Sequence, residues 1–180
     1  MADINIGMCF DRTFKGPEVL HFARRLEDGG VDQLWVIEDC FFTAGVSLAA
    51  AALAATERLT VGIGILPAVA RNPAITAMEL ATLAQLGPGR LIAGIGHGVQ
   101  DWMEQIGART PSPLTTLEEV LTAVRRLLRG DPVDIPLQRR PVDVTAIDHR
   151  QHRSGDHAGE GSVVHGCVSW PVNTGSPRCA

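Results

Sequence analysis

Glutamate, aspartate and cysteine stand side by side at Glu38, Asp39 and Cys40, and a histidine, His97, lies between Gly96 and Gly98. Paired carboxylates do acid–base work or bind the polar edge of a ring. A thiol becomes a nucleophile beside a base or a positive charge. Imidazole hydrogen-bonds a ring or a phosphate and shuttles protons near neutral pH. Asp39, Cys40 and His97 are therefore the candidate catalytic residues. Each has a plainer alternative: Asp39 as a loop acid that caps a following turn, Cys40 as an inert thiol, His97 as a loop side chain bonded to backbone. Cys9, Cys40, Cys167 and Cys179 form no C-x-x-C pair, so neither a zinc site nor a disulfide framework is indicated and no metal is expected.

A second feature is glycine at alternate positions. Gly62 and Gly64 share one face of an apolar run, and Gly94, Gly96 and Gly98 share one face of another. A strand position without a side chain lets another surface approach the backbone. For Gly64, Gly96 and Gly98 the reading is a flat ligand resting there. For Gly62 and Gly94, which lie deeper, small residues that merely fit a barrel interior serve equally well. Trp35 and Trp102 read as packing residues.

These residues need elements to hold them. Four runs read as buried strands: Ile4–Met8, Gln33–Glu38, Thr60–Leu66 and Arg90–Gly96, starting 29, 27 and 30 residues apart. A helical pattern follows each. Pro17–Asp28 stops at Gly29-Gly30, and Ser47–Thr56 is rich in alanine. Pro73–Leu86 opens with Asn72 as N-cap and proline at the first helical position. Thr115–Arg129 carries Thr115 and Glu118 in capping-box spacing and stops at Gly130. Apolar strands alternating with helices imply a parallel sheet covered by helices, either doubly wound or a (β/α)8 barrel. No G-x-G-x-x-G opens a helix after the first strand, and the regular spacing fits the barrel better. A barrel needs about 250 residues, so four units make the N-terminal half of one. In a barrel the strand ends converge, bringing together Cys9–Arg12, Glu38–Phe42, Leu66–Asn72 and His97–Asp101.

After Gly130 the sequence changes character. Sixteen leucines lie in residues 1–130 and only Leu137 in the last fifty, while four of six histidines fall there. Residues 1–130 are therefore read as the partial barrel and 131–180 as an irregular tail of low order. Three accounts of the tail stand: a metal-binding stretch through His149, His152 and His157, a disordered extension, or a change of coding frame near Gly130–Asp131. A net charge of −4 gives no footprint for nucleic acid or an anionic membrane. Ala44–Ala55 is too short to span a bilayer, and the N-terminus lacks a signal-peptide pattern, so a cytoplasmic location is expected.

The stretch TVGIGILPAVARNPAITAMELATLAQLGPGRLIAGIGHG, with GVDQLWVIED before it, resembles the luciferase-like monooxygenase superfamily, particularly its coenzyme F420-dependent branch similar to methylenetetrahydromethanopterin reductase. The resemblance covers roughly residues 3–130. It implies a (β/α)8 TIM-type barrel that holds coenzyme F420 or FMN at its strand ends. It also implies a bulge in strand three with a non-proline cis peptide, aligned here to Gly64–Ile65, backing the ring. The cofactor-binding set is then Gly64, Ile65, Leu66, Asn72, Gly96, His97 and Gly98. One branch of the family oxidises sugar phosphates with histidine, tryptophan and glutamate at places that hold Cys40, Thr43 or Ala44, and Val99 here. That set is missing, so sugar-phosphate oxidation is not implied.

The expected function is a flavin- or F420-dependent oxidoreductase acting on a small organic substrate, truncated to half a barrel, with a homodimer as one arrangement. The rival is an inactive barrel remnant that binds no cofactor, because its outer strands are open edges and the later phosphate-holding loops are missing.

Overall fold

A computed structural model of the chain describes residues 4–133 and two short strands at 163–164 and 167–169. The three accounts of the tail fall, apart from those strands, outside the described residues. The elements are β1 (Gly7–Cys9), α1 (Glu18–Asp28), β2 (Gln33–Val36), α2 (Gly45–Ala55), β3 (Thr60–Pro67), α3 (Pro73–Leu86), β4 (Leu91–Gly96), α4 (Gln100–Gln105), α5 (Pro113–Leu128), β5 (Val163–Val164) and β6 (Cys167–Ser169). Strands β1 to β4 lie in chain order and pair in parallel. This is the four-unit parallel α/β half-barrel expected from the spacing. Within the stretch expected to be irregular, β5 and β6 pair antiparallel with each other, and β6 pairs antiparallel with β4.

One face of the sheet carries the core. Leu34, Val36, Val61, Ile63, Ala93 and Ile95 are buried there with Val19, Ala23 and Leu26 of α1, Leu48 and Leu53 of α2, Leu80 and Leu83 of α3, and Val120 and Val124 of α5. The strands read as near-continuous apolar runs, as expected for a parallel sheet.

Several boundaries differ from expectation by one to three residues, among them the end of β2 at Val36 and the start of α2 at Gly45, and two of the differences have a visible cause. β1 starts at Gly7, not Ile4: the Asp32 carboxylate takes the Ile6 N–H at 2.7 Å, and β2 begins only at Gln33, so nothing pairs with residues 4 and 5 in a ladder. Ile4 and Ile6 are 86% and 62% exposed, and β1 is the outer edge of the sheet among the described strands. Helix α5 starts two residues before Thr115, at Pro113, whose fixed φ suits the first position. The capping box is therefore replaced by a Ser112–Thr115 hydroxyl pair at 2.7 Å.

The end of the sheet opposite the candidate site is closed by polar clamps. Glu27, near the end of α1, accepts the N–H groups of Glu57, Arg58 and Leu59, the last at 2.9 Å. Arg90 donates to the carbonyls of Leu53 and Leu59 and to the Thr56 hydroxyl at 3.0–3.1 Å. These side chains satisfy the turn that leads from α2 into β3.

Burial works against a charged Glu27, but the backbone donors and the nearby Arg58 outweigh it and hold its carboxyl below the usual range. A lowered folded-state pKa means that the folded state binds its proton less readily than the unfolded chain. The clamp is fully present above the unfolded pKa and is lost as pH falls through the folded one. Glu27→Gln is expected to have a lower melting temperature than the parent at about pH 7, with the gap closing below about pH 4. Melting curves of both proteins across that range provide the check; a gap independent of pH would contradict it.

Candidate active site at the strand ends

Parallel pairing places the carboxyl ends of β1 to β4 on one side, where the loops meet. On the face turned away from the helices, Cys9, Trp35, Gly62 and Ile92 are neighbours in register across the four strands. The glycine faces there are not bare. A Cβ on Gly62 would lie 2.5 Å from the Trp35 ring, and one on Gly7 would lie 3.1 Å from the same indole. The indole N–H is satisfied by Gln33 Oε1 at 3.0 Å. A Cβ on Gly96 would meet Ile65 Cδ1 at 2.6 Å. Gly62 thus makes room for Trp35, and Gly96 makes room for Ile65. The space left by Gly62 and Gly96 is therefore largely taken by neighbouring side chains.

What stays open is the bulge. The β3–β4 register runs from Ile63 opposite Ala93 to Leu66 opposite Ile95, so Gly64 and Ile65 together face one residue of β4. The Gly64–Ile65 peptide bond is cis. Both residues are only partly buried, and the nearest atom to a Cβ on Gly64 is the edge of Trp35 at 3.3 Å. Leu66 turns its side chain the other way, into the core at 1% exposure. It can offer a ligand only backbone.

The remaining candidates separate. Asn72 caps α3, its Oδ1 accepting the Ala74 N–H at 2.8 Å. Gly98 has φ +75, which glycine alone adopts freely, and packs against Met103 and Pro67. His97 is exposed, with Nδ1 2.6 Å from the Gly98 carbonyl. Asp39 is paired with Arg12 at 3.0 Å. Cys40 sits where burial, then Glu38 and Asp39, push its thiol pKa up. Burial and the neighbouring carboxylates therefore oppose a thiolate at Cys40.

The sequence ranked Glu38 below Asp39 and did not identify its partners. Glu38 receives both terminal nitrogens of Arg71, one at 2.8 Å, and also accepts the Gly45 N–H at 3.0 Å. Arg71 Nε lies 3.1 Å from Glu79 Oε2, an ion pair outside good hydrogen-bond geometry. This network ties the end of β2 to the starts of α2 and α3, fixing the spacing of two mouth loops. The one legible signal was an arginine immediately before an N-cap. Among the described residues, no group of three metal-ligating side chains stands together, and no helix is long and apolar enough to cross a membrane.

The fold recurs in known proteins. A methylenetetrahydromethanopterin reductase of Methanolobus tindarius is 33% identical over 117 residues, 64% of this chain and 36% of that protein. The solved coenzyme F420-dependent tetrahydromethanopterin reductase of Methanopyrus kandleri superposes with a TM-score of 0.67 at 23% identity, over 79% of this chain and 45% of that one. The oxygenating constituent of 3,6-diketocamphane monooxygenase from Pseudomonas putida, solved with FMN, gives a TM-score of 0.71 at 18% identity, over 84% and 47%. The chain thus spans less than half the length of each. The family profile described as luciferase-like monooxygenase matches residues 11–174. With four parallel βα units in order and that match across most of its length, this chain belongs to the luciferase-like monooxygenase family.

Proposed function

We propose that this chain is the cofactor-facing half of an oxidoreductase that uses coenzyme F420 or FMN to transform a small organic substrate. The observation that carries the reading is the bulge at Gly64 and Ile65. Two partly exposed residues without a one-to-one partner in β4 present backbone at the strand ends, where a flat ring can rest. The backbone of Gly64, Ile65 and Leu66 would support the ring, with Gly96, His97 and Gly98 beside it and Asn72 holding the neighbouring helix start. The bound ring supplies the hydride chemistry, while the chain supplies position and polarity. His97 is the exposed group able to hold or move a proton there, and Asp39, tethered by Arg12, presents a carboxylate to the same mouth. A homodimer belongs to the same reading, supported by Ile75, Met78 and Leu86, which stand exposed along one side of α3.

The second reading, an inactive remnant, is favoured by the open edge of β1. Titration separates the two. Saturable binding of F420 or FMN by the purified chain at micromolar levels, followed by ring fluorescence, is the expected result. Helical protein that binds neither would favour the remnant. For the segment after Gly130 we keep a change of coding frame as a proposal, checked by translating the downstream DNA in the other two frames. The family match continues to residue 174, an observation that favours an unbroken frame.

A further inference from the structure

At the mouth, one turn contains residues that the fold does not require. The Asp39 carbonyl accepts the Phe42 N–H at 3.1 Å, closing the four-residue turn Asp39–Cys40–Phe41–Phe42. Phe41, at its third position, has φ +78. Glycine or asparagine is the ordinary occupant of such a position, and a bulky residue there is an outlier. Burial does not account for the choice, because Phe41 is 68% exposed and Phe42 is 53% exposed. The turn is nevertheless held firmly. Arg12 pairs with Asp39 at 3.0 Å and lies 5.1 Å above the centre of the Phe42 ring. Two exposed rings thus stand on a strained turn in the loop after β2, on the side of the sheet where β3 also ends, with Arg12 holding the turn and the Phe42 ring. Strain that the fold does not repay by burial points to a ligand.

We infer that Phe41 and Phe42 form an apolar wall for the substrate, with Phe41 a specificity-determining residue and an uncharged aromatic or otherwise apolar small molecule as the substrate class. Charge supports the class. Arg12 and Arg71 are each already paired with carboxylates, and Asp11, Glu38, Asp39 and Glu79 leave the region with an excess of negative charge that disfavours an anion. The inference rests on the proposed function for the cofactor beside the wall, but the contact between rings and substrate is testable without it.

The test uses the full chain, its Phe41→Gly variant and, as a second residue tolerant of positive φ, Phe41→Asn. 2-Naphthol is the apolar probe, followed by its fluorescence, with FMN and F420 titrated separately. Both variants are expected to melt at a higher temperature than the parent, because the strain is relieved. They are expected to bind 2-naphthol about threefold to tenfold more weakly, the effect of losing one aromatic contact, with cofactor affinity unchanged. A lower melting temperature in both variants would show that the ring serves packing, as cover for another part of the protein, and would overturn the inference. Failure of the parent to bind 2-naphthol, or equal binding by all three proteins, would also overturn it. Loss of 2-naphthol affinity in the variants when neither cofactor binds the parent would uphold the wall and remove the cofactor reading.

Discussion

Arg71→Ala is expected to destabilise the chain by about 2–3 kcal/mol, somewhat less than the 3–5 kcal/mol for breaking a fully buried pair. The side chains of Arg71, Glu38 and Glu79 are 20%, 11% and 27% exposed, so water recovers part of the loss. The cost comes from what is left behind: the Glu38 and Glu79 carboxylates without the guanidinium that both of them contact. Arg71→Lys keeps the charge but loses the forked contact with Glu38, so it should recover only part of the stability. Removing the stranded charge as well gives a sharper result. Glu38→Gln in the Arg71→Ala background should be less destabilised than the two single changes added together, because the pair acts as one unit. Urea unfolding of the four proteins measures this coupling. An Arg71→Ala variant within about 0.5 kcal/mol of the parent, the range of ordinary surface changes, would show that the network does not hold the mouth together.

The second large effect is expected at Gly62. A methyl group there would lie 2.5 and 2.6 Å from Cε3 and Cδ2 of Trp35, atoms in a rigid ring. Gly62→Ala should therefore cost about 1–3 kcal/mol by overpacking. Gly64→Ala, with its nearest contact at 3.3 Å, should cost less than Gly62→Ala. The cause is identified by changing the ring. Trp35→Ala alone should cost about 2–4 kcal/mol, below the usual value for a fully buried tryptophan because the indole is partly exposed. In that background Gly62→Ala should become nearly neutral. Chemical denaturation of the three variants supplies the cycle; strictly additive losses would mean that the indole is not what Gly62 accommodates.

The four strand–helix units were legible because their signals are local. Asn72 followed by Pro73 marks a helix start within two residues, and the start of α3 agrees with it. The bulge was legible only through the family resemblance; composition and periodicity alone gave glycine spacing. What the sequence hid is what arises between distant segments. Glu38 and Arg71 are 33 residues apart. Their pairing needs the register of β2 against β3, which no window along the chain contains. The neighbours of the glycines were hidden for the same reason: a sequence shows where a side chain is missing but not that Trp35 turns into the gap at Gly62 and Ile65 into the one at Gly96. Phe41 carried no signal either, since positive φ there results from the turn and its Arg12 clamp.

The outer edge of β1 has a consequence of its own. Its backbone groups face away from β2 with no strand beyond them among the described ones, and the run Ile4–Cys9 holds no charged residue to discourage a visitor. An unguarded edge is a template for any extended chain that drifts past, including an identical one. Any strand that pairs there, whatever segment supplies it, would lengthen the parallel sheet beyond β1 by main-chain hydrogen bonds alone.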